Sequence, residues 1–286
     1  MSERCEVLNK TVARNRLPAV TVSLGSGARS NFQELWRYRE LLRSLVVRDI
    51  MVKYKRSFLG LFWTLMNPVF TVIILITVFS YVIRIQIDNY WAFLLSGFFV
   101  WNFISQALLY STTIISNNAA LSRNVYFPRE ILILSAAISK MVEFFIEVSI
   151  VLIVLLVFHF HSAPSSLLVL PLLFMIQFIL AIGLMYPLAV ISVFFNDAKH
   201  ALPILITALF YITPVFYPIS MIPDAARFYY FMNPFVAIVR LYHVVLYEGA
   251  WPSSLFLIAT SLSAIAICLI GYLIFNRYKG ICVEIA

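Results

Sequence analysis

Five runs of 20 or more predominantly apolar residues dominate this chain, at residues 59–83, 90–115, 131–160, 167–195 and 255–275. As helix, about 20 such residues cross the roughly 30 Å of hydrocarbon in a bilayer. Residues 201–216 form a sixth run that is shorter and holds Pro203 and Pro214. At 1.5 Å per residue it reaches only about 24 Å, so it is expected to continue into the segment after residue 216. Composition agrees: 62% of residues are hydrophobic and 12% charged, against roughly 45–50% and 25% in soluble domains. The pattern predicts an all-α integral membrane protein with six transmembrane helices.

The connections between runs predict orientation. Of the 21 Lys and Arg, 17 lie before residue 58 or in the loops after the second, fourth and last spans. The opposite side holds Arg84, Arg227 and Arg240, and Lys140 lies within a span. Positive charge is retained on the cytosolic side, which predicts a multi-pass protein of the bacterial inner (plasma) membrane with both termini cytosolic. The net charge of +8 is then topological, and nucleic acid is not an expected partner.

Residues 1–30 contain Arg4, Lys10, Arg14 and Arg16 but lack the apolar stretch of a signal peptide. They read as a cytosolic N-terminal extension, and residues 281–286 as a short cytosolic tail. In residues 31–50, Phe32, Leu35, Trp36, Leu42, Leu45, Val46 and Ile50 fall on one broad side of a helix, with Ser30 and Gln33 at capping-box spacing. Arg39 and Arg43 share that side; their stems can lie along lipid with the guanidinium groups at phosphate level. An amphipathic interface helix and a plain basic juxtamembrane stretch both fit. Residues 217–252 are broken by Pro218, Pro223, Pro234 and Pro252 yet keep Phe228, Tyr229, Tyr230, Phe231 and Phe235. A re-entrant helical hairpin between the fifth and sixth spans fits this segment, as does an aromatic belt at the lipid interface.

The chain holds no recognisable hydrolytic machinery. None of its 8 glycines precedes a lysine, so the phosphate-binding loop G-x-x-x-x-G-K-[ST] is absent, as are H-E-x-x-H and G-x-S-x-G. Cys5, Cys268 and Cys282 have neither zinc nor disulfide-framework spacing, and no metal site is expected. The third run carries Lys140, Glu143 and Glu147 on one helix face. Charges within a span are expensive. They can neutralise one another, line a wet path, or serve a proton-coupled transporter.

At residues 53–68 the chain reads Lys-Tyr-Lys-Arg-Ser-Phe-Leu-Gly-Leu-Phe-Trp-Thr-Leu-Met-Asn-Pro. This resembles the approach to the first span in membrane subunits of type-2 ABC exporters, nearest to those for O-antigen polysaccharide and wall teichoic acid. Residues 123–130, Arg-Asn-Val-Tyr-Phe-Pro-Arg-Glu, lead into the third span in the same way. So do Asn196-Asp197 after the fourth, and Thr213-Pro-Val-Phe-Tyr-Pro followed by Asn233-Pro234. The resemblance covers about residues 31–280, the expected transmembrane domain.

The resemblance implies a permease without an ATPase site of its own, working as a homodimer with two ATP-binding cassette subunits that bind ATP and Mg. No cofactor is expected on this chain. The implied substrate is a lipid-linked glycan, with capsular polysaccharide, teichoic acid or a drug as alternatives within the class. Arg123, Tyr126, Phe127, Pro128, Arg129 and Glu130 would form the contact with the ATPase subunit. Pro128 also suits the first turn of the third span, and Glu130 its positive N-terminus. Trp36, Arg39 and Arg43 would lie on the interface helix, and Tyr54, Lys55, Arg56, Ser57 and Gly60 at the approach to the first span. Aromatic rings can stack on sugar faces, which makes Phe62, Trp63, Phe70, Trp101 and Phe103 candidates for lining the path. A membrane-bound transferase would cluster polar catalytic residues at one face, and no such cluster is present.

Overall fold

The computed structural model describes residues 36–54, 61–119, 121, 127–158 and 165–280. The chain divides into two units, Met1–Arg37 and Tyr38–Ala286. In the first, only Trp36 and Arg37 are described; the helices from Arg39 onward all belong to the second. Every regular element among the described residues is helical.

Helix α1 spans Arg39–Tyr54 and α2 spans Leu61–Ile76, continuing as a π-helical turn to Val82. The long helices are α3 (Tyr90–Asn117) and α4 (Glu130–Val157). Helix α5 (Leu170–Phe194) follows a short 3-10 turn, and α6 (Ala198–Ile212) follows it closely. Helices α7 (Asp224–Met232) and α8 (Pro234–Tyr242) are short, the latter extended by a π turn to Tyr247. Helix α9 (Ser254–Tyr278) closes the chain. Among the described residues, three helices are both long and apolar enough to cross a bilayer: α3, α5 with its 3-10 turn, and α9. Helix α4 has 28 residues, as many as α3, but carries three of its charges, Lys140, Glu143 and Glu147, near the middle.

Helix α3 is the central element and packs against α2, α4, α5, α6 and α8. Its interior side is filled by large rings. Trp101 lies 5.8 Å from both Phe210 and Phe235, and Phe103 lies 5.2 Å from Phe144. Helix α8 wedges between α3, α5 and α9, with Val236, Ile238, Val239, Leu241 and Tyr242 fully enclosed. Burying polar groups this deeply requires partners. The Tyr242 hydroxyl donates to Gln177 Oε1 at 2.5 Å, and the Gln177 amide donates to the Val100 carbonyl at 3.4 Å. Asn233 caps α8 by accepting from the Phe235 N–H at 2.9 Å, with Pro234 at the first helical position. That is the pairing of residue types a helix start favours. The Asn233-Pro234 motif thus has a local structural reason.

Helix α9 rests mainly on α5. Pro187 in α5 has no N–H, so the carbonyl four residues back, on Gly183, lacks its usual helical donor. Gly271 of α9 lies directly against that carbonyl oxygen, and Gly183 faces the Cys268 backbone. Two glycines therefore let two backbones touch, and the Gly271 Cα–H can supply a weak contact to the freed oxygen.

Gly97 plays a similar part between α3 and the π turn after α8, where it makes room for the His243 ring, whose centre lies 4.1 Å from that of Phe93. The loop before α3 turns through Asn89 at φ 50°, a left-handed conformation that asparagine tolerates. Below it, Tyr90 donates to the Phe216 carbonyl at 2.8 Å, and Tyr247 donates to the Asp88 carbonyl at 2.6 Å. These bonds tie residues 213–217 and the end of the α8 π turn to the start of α3.

Candidate coupling site and membrane-embedded charges

Two polar clusters stand out in this apolar frame. The first joins the start of α4 to the end of α9. Glu130 is 5% exposed, and its Oε1 receives Lys279 Nζ at 2.7 Å. Arg129 adds a hydrogen bond to the Lys279 carbonyl at 3.3 Å. An acid at a helix N-terminus and cations at a helix C-terminus each complement the local dipole. The cluster thus satisfies two helix ends at once. Phe127 is buried beside it in sequence, at 6% exposure.

The second cluster runs from α1 into the middle of α4. Lys140 pairs with Glu143 at 3.1 Å, and both side chains are 11% exposed. Lys140 Nζ also sits 5.4 Å from the centre of the Tyr110 ring on α3, a cation–π distance. The Tyr110 hydroxyl lies within electrostatic reach of Asp49 and Arg48 on α1. Asp49 takes a hydrogen bond from Arg48 at 2.8 Å. One turn further along α4, Glu147 is 3% exposed and accepts from the Asn102 amide of α3 at 3.0 Å. The three span charges share a face; Lys140 pairs with Glu143, and Glu147 accepts from Asn102.

One cavity, of about 100 Å³, lies at the other end of the bundle, between Ile87, Phe93, Pro214, Arg240, His243 and Tyr247. Arg240 and Glu248 form a close ion pair on its wall.

A family model described as ABC-2 type transporter matches residues 40–247, from α1 to the π turn after α8. The chain belongs to the ABC-2 type transporter family. It is 33% identical over 241 residues to the O-antigen export system permease protein RfbA of Myxococcus xanthus, covering 83% of this chain and 91% of that one. A Klebsiella pneumoniae protein of the same name is 26% identical over 240 residues, 84% and 92% of the two chains. The polysialic acid transport protein KpsM of Escherichia coli is 25% identical over 219 residues, 75% and 83%.

Within this ABC-2 chain, the residues singled out from sequence fall in three groups. Arg123, Tyr126, Lys55, Arg56, Ser57 and Gly60 lie outside the described residues, as do the side chains of Tyr54, Phe62 and Trp63. Trp36, Arg39, Arg43 and Phe70 are exposed. Trp101 and Phe103 are enclosed by the chain's own helices at 6% and 3% exposure, where they pack the core of the subunit. Pro128 precedes the N-cap of α4, outside its first turn, and its carbonyl accepts from the Ile131 N–H at 3.1 Å. Glu130 is turned inward to Lys279 and has little surface left for a partner protein.

Helix α1 begins at Arg39 and runs past residue 50 to Tyr54. Leu45 is its buried apolar contact, and the helix packs on α4. Val47, Met51 and Val52 are exposed, so apolar residues occur on more than one side of it. Sequence reasoning missed Lys279, Asn102 and the Gly183–Gly271 contact. The available signals were an amide inside a span and a glycine four residues before a proline.

Proposed function

We propose that this chain is the membrane subunit of an ATP-driven exporter that carries a lipid-linked polysaccharide of O-antigen type outward across the inner membrane. The observation that carries this reading is the similarity to an O-antigen export permease across 91% of that protein. ATP and Mg belong to a separate pair of ATP-binding cassette subunits. Residues 31–280 form the transmembrane domain, with six crossings supplied by α2, α3, α4, α5, α6 and α9. Helices α7 and α8 have nine residues each, about 14 Å apiece, and form a re-entrant hairpin on the outer side. Both termini are cytosolic, which accords with the distribution of Lys and Arg.

The subunit works as a homodimer, with the polymer passing between two copies. The support is the filled interior: rings from α3, α4, α6 and α8 occupy the space a path through one subunit would need. Exposed apolar side chains on α2 and α6, including Phe70, Ile74, Ile204 and Leu205, leave those helices free to face lipid or a second copy. The segment leading into α4, about residues 117–130, contacts the ATPase subunit, with the buried Phe127 and Glu130 anchoring it to the bundle, and α1 lies along the cytosolic membrane surface. The similarity to a polysialic acid transport protein supports a second reading, in which the cargo is a capsular polysaccharide handled by the same subunit arrangement.

Co-purification tests the arrangement. Expressed with the ATP-binding cassette subunit from a neighbouring reading frame, the tagged chain is expected to bring that subunit down in equal amount and to show ATP hydrolysis. A monodisperse, membrane-extracted chain that retains no such subunit would refute the reading.

A further inference from the structure

We infer that Lys279 is a positioning residue for coupling: with Arg129 and Glu130 it ties the coupling segment before α4 to the last span, so that both move as one body. This rests on the proposed function, in which that segment receives the push of the ATPase subunit. Helices α4 and α9 do not pack along their lengths. They meet at one end, where Lys279 Nζ reaches Glu130 at 2.7 Å and Arg129 reaches the Lys279 carbonyl at 3.3 Å. Helix α9 is in turn bonded to α5 through the Gly183–Gly271 contact and through Tyr186, whose ring lies 5.0 Å from Phe275.

The geometry explains why a tie is needed. A displacement applied just before α4 tilts α4, and α9 would be left behind if nothing joined their ends. The Glu130 carboxylate is 6% exposed, so its charge has almost no water to fall back on. Separating it from Lys279 would leave a desolvated carboxylate unpaired, which strongly resists opening. The Arg129 bond holds the α9 terminus by its backbone, independent of the Lys279 side chain. The two contacts together fix both distance and direction.

The test is a charge exchange in the full complex of permease and ATPase subunits. Lys279→Glu, outside the segment that meets the ATPase subunit, is expected to lower polysaccharide export roughly tenfold while ATP hydrolysis stays within about twofold of the unaltered complex, and Glu130→Lys is expected to lower export to a similar extent. The exchanged double variant should regain at least about half of the export, and Lys279→Arg should export normally. Polymer delivered per ATP hydrolysed is the deciding ratio, because a purely structural defect lowers both together. Normal export by Lys279→Glu, or a double variant no better than either single, would overturn the tie. If a single variant fails to assemble, the double is compared with the unaltered complex directly, and its failure likewise overturns the inference. Loss of subunit binding by the unaltered chain would instead point to failure of the proposed function itself.

Discussion

Replacing Gly271 with leucine is expected to abolish the packed α5–α9 pair. A side chain at this position would meet the Gly183 carbonyl oxygen and the Pro187 ring. Overpacking a core costs typically about 1–3 kcal/mol when side chains can shift. Here the obstacle is backbone on a helix already shaped by Pro187, so the only relief is to move the helices apart. That separation would remove the main interface of α9 with the rest of the chain, and the Lys279 tie with it. The expected result is a variant that aggregates on extraction or unfolds well below the unaltered protein in a thermal melt. Gly280 has open space around its Cα, and Gly280→Ala should melt normally. A Gly271→Leu protein that chromatographs and melts like the parent would show that the helices do not touch there.

Lys140→Ala is the second large effect. It leaves Glu143, with a side chain 11% exposed, inside a span without its cation. Breaking a buried pair from one side costs about 3–5 kcal/mol, whereas replacing both partners by apolar residues of similar volume is often neutral or favourable. Lys140→Ala should therefore lower stability sharply, while Lys140→Met combined with Glu143→Leu should restore it. Unfolding in mixed detergent, followed by tryptophan fluorescence, reads the difference. Equal stability of the single and double variants would show that the pair is solvated. The double variant separates stability from function: if the pair also holds α3 and α4 near Tyr110 and α1, the restored protein will fold but export poorly.

Much of the fold is legible in the apolar runs. They locate α3, α5 and α9 within a few residues, because a span needs about 20 apolar residues and little else. The end of α6 follows from Pro214, which favours extended backbone at Thr213, and the cap of α8 from Asn233-Pro234. What faces what is another matter. In a helix that is apolar all round, the pattern carries no contrast between a protein-facing and a lipid-facing side. Trp101 and Phe103 therefore look as available as Phe70, although the first two are enclosed and the last is exposed. Glu130 looks like a surface acid at a helix start because its partner, Lys279, lies at the far end of the chain. The Gly183–Gly271 contact is hidden for the same reason: each glycine is ordinary until the other is placed against it. Charges in α4 could be recognised as partners of one another, yet Asn102 was needed to account for Glu147.

Transport itself offers the most direct measurement. Inverted inner-membrane vesicles containing this chain and its ATPase subunit, loaded on their outer face with lipid-linked polysaccharide, should move the polymer into the lumen when ATP is added. Protection of the polymer from an added glycosidase reads the transfer. Protection is expected to require hydrolysable ATP and both subunits, and to persist when a protonophore collapses the proton gradient. Protection that appears without ATP, or vanishes with the gradient while ATP hydrolysis continues, would contradict ATP-driven export.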